Sequence, residues 1–404
     1  MNRIAEAYVR LVLALGRHDP DYVDAYYGPP AWREDAARDT PPLSEILEAA
    51  IVLAGRLATT TEARDELRRL RQRYLARMIQ SVAVRAEMLA GKRLSFDEES
   101  VALYDAVAPR HADALFQETR EELGKELPGE GSILERYEAF KARFTIPLDR
   151  LERVFAAATE AARERTEAHI ALPEGESFRV EYVTGKSWGG YNWYQGNFTS
   201  LIQVNTDLPI YIDRAIDLAA HEGYPGHHVY HSLCEKNLVR DRGWIEFTVY
   251  PLFSPQGMIA EGSANFGVDV VFPEEERAEF ERAFLFPLAG LDPDAAGPYE
   301  RVRKLADRLA YAGNEAARRY LDGEMDAKSA ADWLAEHALM PRVRAEQRVR
   351  FFDQYRAYVI NYTIGKDLVR RYVESHGGTP ENPQKRWEEL ARLLSSPRLP
   401  RDLA

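Results

Sequence analysis

Apolar residues recur at helical spacing along most of this chain. Ile4, Tyr8, Leu11, Val12 and Leu15 fall on one face of a predicted first helix. Leu43, Ile46, Leu47, Ala50, Ile51 and Leu57 mark a second, after Pro41-Pro42. The spacing predicts a long helix from about Thr61 to Ala90, with Leu67, Leu70, Tyr74, Met78 and Val82 inward and Gly91 ending it. Ser95 with Glu98, and Ser132 with Glu135, are capping boxes that open two more helices, the first running to Val107. Pro147 starts another, to about Ile170. The intervening Arg and Glu read as solvated helix faces. Asp19 to Trp32, with Pro20, Gly28, Pro29 and Pro30, reads as turns.

The pattern changes at Ala171. Residues 178 to 182 alternate as a strand does, Phe198 to Val204 reads as another, and Trp188 to Phe198 is rich in glycine and aromatics. This predicts one small antiparallel sheet of three strands, whose glycines permit close approach of a strand or a ligand. From Pro209 the helical period returns, and Ile212, Ala215, Ile216 and Ala219 form a stripe leading into His221 and Glu222. Ser254-Pro255 starts a further helix as N-cap and first helical residue. Tyr299 to Leu321, Ser329 to Leu339 and about Val343 to Val373 are predicted as single helices. The expected fold is therefore mainly α, a large multi-helix fold with one small sheet. Residues 1–170 form a helical lobe, and residues 171–404 form a second lobe joined to it in one continuous unit.

Composition narrows the class. The chain has 404 residues, 45% hydrophobic and 29% charged, which suits a globular protein with a substantial core. A net charge of −12 argues against nucleic acid or an anionic membrane as partner. A single cysteine, Cys234, rules out an internal disulfide framework and fits a reducing compartment. The first sixteen residues carry Arg3, Glu6 and Arg10 and do not read as a signal peptide, and no apolar run is long enough to span a membrane. The expected location is cytoplasmic.

The chemistry concentrates in residues 221–231, His-Glu-Gly-Tyr-Pro-Gly-His-His-Val-Tyr-His, which hold four of the nine histidines. His-Glu with a second His one turn later is the entrance to a hydrolytic zinc site, two imidazoles holding the metal and the Glu acting as general base. Here the next histidines fall at i+6, i+7 and i+10. On an unbroken helix i+6 points away, and i+7 lies about 10 Å further along. A two-residue bulge at Pro225-Gly226 would bring His227 to the place of i+4. His227 is therefore the preferred second ligand, with His228 the alternative and His231 a packing or supporting residue. Glu261, in Ala-Glu-Gly-Ser-Ala-Asn, is the candidate third ligand, because a carboxylate in so apolar a helix needs a partner or a metal. Asn265, one turn on, is placed to orient a ligand histidine.

His-Glu-Gly-Tyr-Pro-Gly-His-His followed by Ala-Glu-Gly resembles the bacterial domain-of-unknown-function family 885, whose members show His-Glu-x-x-Pro-Gly-His-His and then a Glu-Gly-Trp-Ala-like stretch. Ser263 stands where that family usually has tryptophan. Asp21 to Pro30 and Asn361 to Lys366 resemble its outer segments, though Val359-Ile360-Asn361 replaces the usual Pro-Gly-Gln. The resemblance implies a helical zinc metallopeptidase related to the gluzincins, with Zn2+ on His221, His227 and Glu261. It also implies Glu222 as base, residues 171–404 as the catalytic lobe, and a sheet next to the zinc-binding helix that holds the peptide substrate. A tyrosine near the metal is expected to stabilise the oxyanion, and Tyr362, in the family-like segment, is the candidate ahead of Tyr355 and Tyr358. Arg356 is a candidate for a substrate carboxylate. Two other classes remain: a non-haem iron oxygenase with a two-His-one-carboxylate site, and a non-catalytic, metal-stabilised helical scaffold that binds peptides.

Overall fold

The Pro255–Val271 helix is buried on nearly all sides and forms the centre of the molecule, as a helix without a polar face must. The computed structural model describes residues 1–403. Ser254 caps the central helix through Gly257 N–H, as its sequence requires. Around it pack the Ile364–Ser375 helix, the turn Arg356–Tyr362 and the segment Ala219–Gly223. Where it crosses Ile364–Ser375, a Cβ on Gly262 would lie 2.4 Å from the Gly365 carbonyl carbon, so two backbones touch there.

The fold is mainly α, with two small sheets. The strands are β1 (Val23–Tyr26), β2 (Ser177–Val183), β3 (Gly190–Gly196), β4 (Thr199–Asn205) and β5 (Val249–Pro251). Both capping boxes form, at Ser95 and Ser132.

The expected single antiparallel sheet is corrected in two ways. In the three-stranded sheet, ordered β2-β4-β3, β3 runs antiparallel to β4 but β2 runs parallel to it. The cause is the link from β2 to β3. Asn205 Nδ2 donates to the carbonyls of Lys186 and Trp188, and Asp207 accepts from Gly185 N–H, so the link is tied across the end of β4. β3 therefore lands on the far side of β4. The second sheet pairs β1, which lies within the segment expected to be turns, with β5, which no pattern marked; both strands are short and their pairing partners lie more than two hundred residues apart.

Two predicted helices are broken. Tyr299–Leu321 is Ala296–Asp307 followed by Ala312–Leu321. Val343–Val373 is interrupted after Tyr355, where Arg356 adopts φ +50°. Buried Glu99 holds that break: it accepts from Ala357 N–H at 3.2 Å and from Arg356 Nε at 2.6 Å. Nor are all charged residues on solvated faces. Arg71–Glu246 and Arg85–Asp19 are buried pairs that bind the first 170 residues to the rest or to each other. Residues from both sides of position 170 share one hydrophobic core.

The helix that enters the histidine-rich stretch, Asp213–Leu218, is anchored at its first residue. Lys141 Nζ lies 2.8 Å from Asp213 Oδ2 and 2.7 Å from the Tyr299 hydroxyl, all buried. Burial alone would raise the Asp213 carboxyl, but the Lys141 ammonium and its hydrogen bonds outweigh it and bring the group down to about 2 from 3.8. Asp213→Asn leaves the Lys141 charge buried without a counter-charge and is expected to cost about 3 kcal/mol in urea unfolding at pH 7. A depressed carboxyl stabilises above its unfolded pKa and loses that contribution as pH falls through its folded value. The gap between wild type and variant should therefore close between about pH 4 and pH 2.

Candidate metal centre

The stretch 219–231 is not one bulged helix but two helices meeting at a corner. Asp213–Leu218 widens into a π turn at Ala219–Gly223, and a new helix, His227–Cys234, begins after Tyr224-Pro225-Gly226. Pro225 has no N–H to continue the first helix. Gly226 folds its backbone back onto that helix: its N–H donates to Ala220 O at 2.9 Å, and a Cβ there would lie 1.8 Å from His221 O. Only glycine fits this contact. The expected bulge at Pro225-Gly226 is thus replaced by a wider turn before it and a reversal at it, and π turns of this kind recur at functional sites.

The corner brings His221 and His227 together, their rings 4.7 Å apart and edge to face. Glu261 enters from the central helix, with Oε2 3.3 Å from His221 Nε2 and Oε1 3.8 Å from His227 Nε2. One donor atom from each of the three lies within 4.8 Å of the others. Glu261 is 6% exposed, and its Oε2 has no hydrogen bond of good geometry. Ligands about 2.0–2.2 Å from a tetrahedral zinc sit roughly 3.3–3.5 Å apart, so the two imidazoles and the carboxylate fit a divalent cation of that kind. The Tyr358 hydroxyl donates to Glu261 Oε1 at 2.7 Å and fixes the carboxylate.

His228 is not at the centre. Its Nδ1 meets Ser200 Oγ at 2.9 Å and its Nε2 meets Glu176 Oε2 at 2.7 Å. Glu176 also accepts from Tyr224 and Arg163. His228 thereby ties the second helix to β4 and to the segment before β2. His231 packs between Tyr194 and Tyr250, and burial brings its imidazole down to about 3, so it stays neutral. Burial likewise lowers His227 to about 4, the neutral form a metal ligand requires. Burial would lower His221 too, but Glu261 and Glu222 beside it hold it above its ordinary value.

Glu222 is buried and lines the same cleft, a cavity of about 1010 Å³. Burial pushes its carboxyl up to about 7; the charge of Glu261 adds to this, while His221 and Arg214 oppose it. The sheet sits directly against it. A Cβ on Gly190 would lie 2.5 Å from Leu218 Cδ2 and 3.1 Å from Glu222 Oε1, so β3 approaches as closely as it does because residue 190 has no side chain. Asn192, buried on β3, donates to the Glu222 carbonyl at 2.7 Å.

Tyr362 lines the cleft. Tyr355, Tyr358 and Tyr362 do not share a helix face, because the helix ends at Tyr355. Tyr355 packs on Phe351, with ring centroids 4.5 Å apart. Asn265 does not orient a histidine; its Nδ2 donates to Glu261 O within its own helix. Arg356 is turned to Glu99 and does not line the cleft.

Asn192, Asp24 and Arg348 went unnoticed in the sequence. Asn192 carried a faint signal, since it alternates inward with Tyr194. Asp24, on β1, accepts from the Tyr191 hydroxyl in the cleft wall, and burial, with Glu261 and Glu222 adding, lifts it to about 7 against that bond. Its strand was not recognised, so neither was its inward direction.

No protein-family model matches the chain, and no curated protein matches it. Among solved structures, a candidate lipoprotein from Colwellia psychrerythraea is similar at 15% identity and TM-score 0.52, over 92% of this chain and 70% of that one. A candidate lipoprotein of unknown function from Shewanella oneidensis is similar at 12% identity and TM-score 0.46, over 90% and 75%. The protein designated BsuCP is similar at 12% identity and TM-score 0.49, over 98% and 88%. At these identities the Colwellia likeness speaks to the fold alone. Among the described residues, no helix is long and apolar enough to cross a membrane.

The two neighbouring histidines should separate cleanly on substitution. His221→Ala, His227→Ala and Glu261→Gln are expected to lose bound metal, measured by elemental analysis of the purified protein. His228→Ala should keep its metal but leave Glu176 short of a buried partner, lowering stability by about 2 kcal/mol in denaturant unfolding.

Proposed function

We propose that this protein is a zinc-dependent metallopeptidase that hydrolyses short peptides, with His221, His227 and Glu261 as ligands and Glu222 as general base. The observation that carries this reading is the convergence of two imidazoles and a buried carboxylate in one cleft that a second buried carboxyl, Glu222, also lines. It agrees with the motif resemblance to family 885 and the gluzincins. Zinc bound there supplies a Lewis acid that polarises the scissile carbonyl and the attacking water.

The chain's own groups do the rest. Glu222 takes the proton of the water that adds to the carbonyl and passes it to the departing amine. Tyr358 is committed to Glu261, which leaves Tyr362 to donate a hydrogen bond to the oxygen that gains charge. β3 is an edge strand with Gly190, Tyr191 and Asn192 on the cleft wall, and an exposed strand edge pairs with an extended peptide backbone. Burial keeps His227 in the neutral form that a metal ligand requires.

Glu222→Gln is expected to reduce cleavage of fluorogenic peptides by about 10²–10⁴-fold while zinc content is unchanged, and chelator should abolish cleavage by the wild type. Full activity in Glu222→Gln would exclude this mechanism. Iron in place of zinc in protein purified without added metal would favour oxygenase chemistry, and no chelator-sensitive cleavage of any peptide would favour a binding scaffold.

A further inference from the structure

Among the described residues, the cationic side chains lining the cleft each have a carboxylate or a backbone carbonyl as partner, with one exception. Arg277 pairs with Asp217 and Glu281, Arg303 with Glu300 and Asp307, Arg308 with Glu122, and Lys366 and Arg370 with Asp269. Arg214 stands 3.6 Å from Asp217, and Arg344 donates to Pro209 O. Arg348 is the exception. It lines the cleft, yet among the described residues it makes no salt bridge, and its Nε is buried without a hydrogen-bond partner. Its guanidinium lies among rings instead, with Cζ 4.6 Å from the centroid of Phe351, 5.6 Å from Phe352 and 5.8 Å from Tyr362.

A half-buried guanidinium without an anion is destabilising to the free protein. Burial here also weakens its hold on its proton, with Tyr362 opposing. The planar fork is suited to accept a carboxylate on two parallel N–H bonds, and the surrounding aromatic walls strengthen such a pair by excluding water. The position is specific as well. Arg348 stands beside Tyr362, whose hydroxyl also feels the Glu261 and Glu222 charges. Arg348, Tyr362, Glu222 and Glu261 line one cleft, so an anion held by Arg348 lies in the same cleft as the reacting bond.

We propose that Arg348 binds a carboxylate of the bound peptide, supplied by its free C-terminus or by an acidic side chain, and thereby selects which peptides the cleft accepts. The proposal rests on the peptidase reading, but its test does not require turnover.

The probes are three short peptides of otherwise neutral sequence: one with a free C-terminal acid, its C-terminal amide, and an amide carrying a terminal Glu side chain. Their affinities for zinc-loaded Glu222→Gln protein are measured by calorimetry. At least one carboxylate-bearing peptide should bind roughly tenfold or more tightly than the neutral amide, and which one does so identifies the source of the carboxylate. Adding Arg348→Met should erase that preference, and Arg348→Lys should restore part of it. Arg348→Met without peptide should melt no lower than its parent, because it removes an unpaired charge. Equal binding of all three peptides, no binding of any, or a preference that survives Arg348→Met overturns the proposal. Cleavage by the wild-type enzyme reports separately on the chemistry. Arg348-dependent binding without cleavage removes the peptidase reading and keeps the carboxylate site; cleavage without carboxylate preference does the reverse.

Discussion

The contact between the Gly226 backbone and the His221 carbonyl is the constraint on which the rest of the centre depends. It sets the corner between two helices, and the corner decides which histidine faces His221. A Cβ at residue 226 would occupy the place of the carbonyl oxygen. The second helix would have to back away, taking His227 from the Glu261 carboxylate. The supports around the corner then follow. His228 pins the second helix through Glu176 and Ser200, Lys141 pins the entering helix through Asp213, and the Gly262–Gly365 crossing fixes the depth at which Glu261 is presented.

The centre concentrates groups that are costly to bury. Burial makes Glu222 and Asp24 harder to ionise, and the Glu261 charge adds to both; His221 opposes this at Glu222 and the Tyr191 hydroxyl at Asp24, while Glu261 itself is held below its ordinary value against burial by His221, His227 and Tyr358. Such an arrangement is unfavourable in an ordinary core, where close-packed apolar side chains would be more stable. The stability it lacks is made up by the surrounding helices, whose apolar faces form one continuous core.

Local chemistry was legible in the sequence; long-range pairing was not. The capping boxes at Ser95 and Ser132 and the Ser254-Pro255 start are decided within four residues, and they appear as read. His221, His227 and Glu261 were legible as candidates from residue type, but spacing left His227 and His228 open, and the corner that sets His227 beside Glu261 is not the bulge expected. The break at Arg356 was not, since no proline or glycine marks it; the cause is Glu99, more than 250 residues away. The parallel pairing of β2 and β4 depends in the same way on Asn205 and Asp207 reaching back to the preceding link. Arg356 and Arg348 are eight residues apart and both candidate anion binders; what tells them apart is distant Glu99 beside one and, among the described residues, no carboxylate paired with the other.

Asn192 joins two tasks that are usually separate. It sits on the strand edge along which a peptide would lie, and its amide holds the main chain of Glu222. A ligand that draws β3 outward or presses it inward therefore moves the Glu222 main chain with it. In the proposed peptidase the sheet is then a gauge as well as a rail: a backbone seated in the correct register sets Glu222 at its working distance, and one seated a residue out of step displaces it.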